Sequence, residues 1–239
     1  SMNIGVAWNR LSARLVKRDV HKTVGRFSTV RKTYSLLQNQ RQSSNESFYQ
    51  ERLHPRKNSI FPELAPQKCR GELQQRSVAF GLQLPSAMVH EIYDHACQSC
   101  LYEPGFDDIF KVDDVRKGCL PTGRPVLRGL VKNPQHCPAI ETIAHDPKLL
   151  DIARAYLRYW PTQVTRHLTW TFVSNLPLNQ QKERFLPLSY HYDVAGYNSM
   201  SAYFYITDMD ARSGAHVMIE RSHAQKPVHT LYAPWSGRQ

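Results

Sequence analysis

Thr165-Arg166-His167-Leu168-Thr169-Trp170-Thr171-Phe172-Val173 alternates, placing Thr169, Thr171 and Val173 on one side and Leu168, Trp170 and Phe172 on the other. A period of two, rich in Thr, Val, Trp and Phe, is what a strand with one buried face requires. Upstream the period is helical. Over residues 138–157, Ala139, Ile140 and Ile143, then Leu149, Leu150, Ile152, Ala153 and Leu157, recur on one side of a helix. Asp146 reads as the cap and Pro147 as the first residue of the second part, and Pro161 closes it. Beyond the first strand, further strands are expected in 186–193, 200–206 and 216–219. Residues 179–184 read as a polar loop, and 208–214 as a turn. Helices first and short strands afterwards predict an α+β fold with a sandwich or jelly-roll sheet.

Working toward the N-terminus, Ser86 reads as the cap of a helix carrying Met88, Val89, Ile92, Tyr93 and Ala96, ending near Pro104-Gly105. A loop-rich stretch with Gly118, Pro121, Gly123 and Pro125 leads to Val126-Leu127-Arg128-Gly129-Leu130. Residues 1–65 read as a basic, partly disordered leader, with loop or disorder expected over 38–60, where apolar groups are few. Residues 66–239 then form the main domain, divided into a helical part over 66–160 and strands over 161–239.

The net charge of +11 sits mostly in the leader: residues 1–60 hold 12 Lys/Arg against 3 Asp/Glu, whereas the rest of the chain holds 19 against 17. Such a leader is an ordinary solvated arm, an organellar address, or a grip on nucleic acid or anionic lipid. No recognisable nucleic-acid motif accompanies it. No stretch has the roughly eighteen consecutive apolar residues of a membrane span. The odd set of cysteines, Cys69, Cys97, Cys100, Cys119 and Cys137, predicts free thiols and an intracellular, cytoplasmic setting, with organellar targeting by the leader left open. Cys97-Gln98-Ser99-Cys100 lacks a second ligand pair, so two small side chains one helical turn apart is the preferred reading over zinc.

The chemistry concentrates at His191-Tyr192-Asp193. On an extended strand, residues two apart share a face, so an imidazole and a carboxylate can grip one ion. Two histidines and one carboxylate on one face of an octahedron hold non-haem Fe(II) and leave three positions open. The third ligand must then come from another strand. After the pair come Ser201-Ala202-Tyr203-Phe204-Tyr205-Ile206-Thr207-Asp208-Met209-Asp210, Ser213-Gly214, and Val217-Met218-Ile219-Glu220-Arg221-Ser222-His223.

This run resembles the phytanoyl-CoA dioxygenase family, in which H-x-D is followed by an aromatic strand, an acidic turn, an N-G or S-G step and a hydrophobic strand. The family's P-G-S-H-like ending is half kept: Ser222-His223 is present and the Pro-Gly is not. Asp146-Pro147-Lys148-Leu149-Leu150, followed by Leu157 and Pro161, looks like the family's helix before its first sheet strand. The resemblance covers residues 80–230 and is strongest over 146–223. It implies a double-stranded β-helix (jelly roll, cupin-like) with N-terminal helices packed on it. It also implies Fe(II), 2-oxoglutarate as co-substrate, and hydroxylation of a small organic substrate with release of succinate and CO2. His191 and Asp193 match the first two metal ligands, and Tyr203 matches a position lining the co-substrate pocket.

The family's distal histidine and its 2-oxoglutarate-binding arginine have no counterpart. The third ligand is therefore expected beyond Gln239, in a chain truncated at the C-terminus and inactive alone. His216, His223 and His229 are the histidines left after Asp193. Related halogenases replace the carboxylate with a small residue, so Asp193 points to hydroxylation. Arg128, Arg166 and His167 could touch an anionic substrate, although solvated or structural roles are the preferred reading. The rivals are an inactive relative that keeps the fold and a basic nucleic-acid- or lipid-binding module.

Overall fold

The computed structural model describes residues 24–53, 58–185, 188, 191, 193, 196–210 and 214–222. Seven α-helices lie within these residues: α1 (Ser28–Ser43), α2 (Glu46–Leu53), α3 (Pro66–Arg76), α4 (Ser86–Gln98), α5 (Pro138–Ala144), α6 (Pro147–Leu157) and α7 (Leu178–Arg184). Four short strands, β1 (Leu101–Tyr102), β2 (Ile109–Phe110), β3 (Arg128–Val131) and β4 (Thr169–Thr171), form one antiparallel sheet in the order β2-β1-β3-β4. Among the described residues no helix is long and apolar enough to cross a membrane.

Register sorts the sheet into two faces. Leu101 pairs with Phe110 and Val131, and Trp170 pairs with Gly129. These residues share the inner face, where Leu101, Phe110, Leu120, Val126 and Val131 form a buried cluster and Leu168, Trp170 and Phe172 pack against it. The alternation that defines β4 in the sequence is therefore the alternation of the sheet. Gly129 fits because Leu101 and Phe110 occupy the space that a side chain would need: a Cβ there would stand 2.9 Å from Leu101 Cδ1. Helix α4 closes this face, with Tyr93 edge-on to Trp170 at 5.8 Å and the Trp170 indole donating to the Ala96 carbonyl at 3.3 Å. Between α4 and α5, Ile92, Cys137 and Ala139 form a second buried cluster.

Helix α6 buries Leu149, Leu150, Ile152, Ala153 and Leu157, a stripe at helical spacing. Its cap is Asp146, only 1% exposed, whose Oδ1 accepts from the backbone N–H groups of Lys148 (3.0 Å) and Leu149 (3.1 Å) and from the Ser59 hydroxyl (3.0 Å). Oδ2 accepts from the Ile60 N–H at 2.8 Å. The Lys148 ammonium donates to the carbonyls of Phe61, Pro62 and Leu64, at 2.9, 2.6 and 2.9 Å. One tripeptide, Asp146-Pro147-Lys148, thus starts the helix and staples residues 59–64 to it. The helix ends where Arg158 adopts a left-handed backbone (φ 69°).

Several expectations need correction. The described part of the leader is helical: α1 and α2 occupy 28–53, including much of the stretch expected to be loop or disorder. Ser35 donates to the Leu157 carbonyl at 2.8 Å, and the Gln42 amide donates to the Trp160 carbonyl (3.0 Å) and accepts from the Trp160 N–H (2.7 Å). These polar side chains satisfy backbone groups left over at and beyond the end of α6, so a sequence poor in apolar residues still docks. The stretch 66–160 also supplies three of the four strands. Helix α4 starts one residue earlier than read, with Pro85 at the cap position and Ser86 inside the helix, and ends at Gln98 because Leu101 opens β1 and pairs with Val131 of β3. The polar loop at 179–184 is helix α7. Residues 200–206 and 216–219 are in no strand, and 186–193 lies mostly outside the described residues. The four observed strands are half of the eight in a jelly roll.

Candidate functional site

His191 and Asp193 lie outside regular strands, yet their side chains converge: His191 Nε2 is 3.1 Å from Asp193 Oδ1. The histidine side chain is 29% exposed and the carboxylate 73%, so the pair opens to solvent. Two donors at right angles about an ion, each about 2.1 Å from it, would stand about 3.0 Å apart. The observed separation suits adjacent positions on one metal, and it equally suits a hydrogen-bonded His–Asp pair. Neutral imidazole nitrogen with carboxylate oxygen is a donor set that ferrous iron accepts. Among the described residues no group of three or more His, Cys, Asp or Glu side chains is placed to hold a metal ion. His223 and His229 lie outside the described residues.

Tyr203 is exposed, with its ring 4.4 Å from the His216 ring at 40°. The His216 backbone N–H donates to the Tyr205 hydroxyl at 2.8 Å, and that hydroxyl lies 3.1 Å from His216 Nδ1. The aromatic segment and the segment after Gly214 therefore meet through side chains, and His216 is held among tyrosines. Gly214 itself has φ +82°, as the expected turn requires.

The upstream candidates separate by partner. Arg166 is structural: Nη2 donates to Glu141 Oε2 at 2.8 Å, and Nε lies 2.7 Å from Oε1. Another donor of Arg166 reaches the Val164 carbonyl at 2.7 Å. His167 is exposed. Arg128 lies on the outer face of β3, its guanidinium 4.3 Å from the Phe185 ring centre, and burial pulls its pKa down. All five cysteines are free; Cys97 is half-buried on α4, while Cys100 is exposed beyond the helix end and not in its next turn.

An ionic hub escaped the sequence. Glu103, 4% exposed, accepts from Arg124 at 2.5 Å and Arg184 at 3.0 Å through Oε2, and from the Leu127 N–H at 3.1 Å through Oε1. The Phe106 ring lies 4.2 Å from the Arg124 guanidinium and 4.8 Å from that of Arg184. This hub anchors α7, just ahead of His191, to the β1 and β3 loops. Residues 21 and 81 apart make the contact, and no local pattern reports such a pairing. Two surface depressions, about 380 Å³ beside Tyr34 and Tyr197 and about 250 Å³ beside His95 and Cys100, are lined by neither His191 nor Asp193.

Comparison of the chain with protein-family models, curated proteins and solved structures returns no match.

Proposed function

We propose that this chain is part of an Fe(II)- and 2-oxoglutarate-dependent dioxygenase, in which His191 and Asp193 supply two of three metal ligands. The observation that carries the reading is the 3.1 Å approach of His191 Nε2 to Asp193 Oδ1 from positions two apart in the sequence. The order of motifs around that pair, from Asp146 to His223, supports it through the family resemblance. In this reading the four strands belong to a double-stranded β-helix on which the helices pack.

The roles of the chain's own residues follow from their chemistry. His191 must coordinate as neutral imidazole through Nε2, and Asp193 as carboxylate, so acid that protonates either weakens the site. Asp193 cancels one of the two charges of a divalent ion and leaves positions for a bidentate keto acid and oxygen. Ferrous iron, when bound, supplies the redox chemistry: oxidative decarboxylation of 2-oxoglutarate to succinate and CO2, with hydroxylation of a small organic substrate. In this reading Tyr203, whose ring lies 4.4 Å from the His216 ring at 40°, lines the co-substrate pocket. The third ligand and the co-substrate arginine come from outside the described residues.

The test is anaerobic Fe(II) binding to the full-length protein, followed by succinate release on adding 2-oxoglutarate and O2. His191→Ala and Asp193→Ala should each weaken Fe(II) binding by about 100-fold or more, since losing even a supporting residue costs about 10–100-fold. Wild type that binds Fe(II) no better than the double variant would overturn the proposal.

A further inference from the structure

Arg128 is the anomaly among the half-buried arginines of the β1–α7 region. Arg124 is paired with Glu103 and Asp108, Arg184 with Glu103, and Arg166 with Glu141. Arg128 has no ion-pair partner and no hydrogen bond through its guanidinium among the described residues; Glu103, already paired with Arg124 and Arg184, acts on it only from beyond ion-pair distance, and the close contact of Arg128 is the face of Phe185 at 4.3 Å. Removing a cation from water without a direct ion-pair partner is costly, and a shared, more distant carboxylate and stacking on an aromatic ring offset only part of that cost. Stacking occupies the guanidinium face and leaves its donor-bearing edge available. Directly across the strand pair, in register with Arg128, stands Thr171. Both project from the outer face of the sheet, as Leu130, Thr169 and Tyr102 also do. A Cβ built on Gly214 would lie 3.8 Å from Thr171 Cγ2, so Gly214 sits beside this face.

We propose that Arg128 and Thr171 form a carboxylate-binding subsite, with the Arg128 fork held flat by Phe185 and the Thr171 hydroxyl donating a further hydrogen bond. A single carboxylate matches the site in charge: one cation and one neutral hydroxyl neutralise a monoanion but leave half of a dianion such as sulfate uncompensated. The planar fork suits two coplanar oxygens. The ligand is a small organic acid, and the subsite requires no metal.

Binding is therefore measured on chelator-treated, full-length protein by titration calorimetry with butyrate, so that a failure of the iron reading leaves the result intact. Wild type should bind saturably. Arg128→Gln should weaken binding about tenfold or more, because a charge-assisted pair is lost. Arg128→Lys should lie between, keeping the charge without the fork, and Thr171→Val should lose several-fold while leaving the thermal midpoint in place. If Arg128→Gln does not fold, the lysine and valine variants decide. No saturable binding by wild type, unchanged affinity in folded variants, or sulfate competing as strongly as butyrate would each overturn the assignment.

Discussion

Replacing Asp146 tests whether one carboxylate holds the first helical layer together. Four donors converge on it, two from the first turn of α6 and two from residues 59–60. Losing the cap alone costs about 0.5–2 kcal/mol. The Ser59 and Ile60 bonds are charge-assisted, so about 1.5–3 kcal/mol each is the ceiling for their loss. Because the bonds share one group, their losses do not sum, and Asp146→Ala should destabilise by about 3–5 kcal/mol. Asp146→Asn keeps an acceptor for the helix but turns an amide toward the Ile60 N–H, and should cost about 1–2 kcal/mol. Urea unfolding followed by tryptophan fluorescence reads both, since Trp160 is buried beside the Arg154 guanidinium. At about 2–4 °C per kcal/mol for a domain of this size, the alanine variant should melt about 6–20 °C early. An alanine variant within about 1 kcal/mol of wild type, or an asparagine variant as weak as alanine, would refute the reasoning.

Two glycines should respond in opposite directions. Gly129→Ala pushes a methyl to 2.9 Å from Leu101 Cδ1 and 3.3 Å from Phe110 Cε2 and should destabilise by about 1–3 kcal/mol, whereas Gly71→Ala, open inside α3, should stabilise by about 0.5–1 kcal/mol; denaturant midpoints of both variants check the contrast. Burial pushes the Tyr159 phenol up to about 12, with Tyr34 adding to the rise and a hydrogen bond with Asn198 opposing it. The folded value exceeds the unfolded one of about 10, so this contribution is complete below about pH 10 and is lost as pH climbs toward 12. Tyr159→Phe should flatten that part of a stability–pH curve measured by urea unfolding, and an unchanged slope would count against it.

Local signals carried the helices whose ends are written in side chains. Asp146-Pro147 announced α6 because cap and first residue are neighbours, and the Leu149, Leu150, Ile152, Ala153 and Leu157 stripe is the face that is buried. Trp170 pointed inward as alternation required. Strands of two residues, such as β1 and β2, have no period to detect; β3 defines β1 by pairing with it, and β1 in turn defines β2. The docking of helix α1 was hidden for a different reason: it depends on Ser35 and Gln42, polar residues whose value lies in a distant chain end. At the candidate site, His191 and Asp193 approach each other without the strand from which their shared face was read. The Glu103 hub and the Phe185 platform under Arg128 were not legible, because each joins residues from separate elements.

The clasp between Gln42 and Trp160 spans 118 positions, which sets an order of events during synthesis. A ribosome adding about 5–20 residues per second needs about 6–24 seconds to make the distance between them. Throughout that interval the helix bearing Ser35 and Gln42 has emerged without its receptor, with Leu36 and Leu37 facing outward. The segment bearing Gln42 therefore joins the fold only after Trp160, beyond the far end of α6, has been translated.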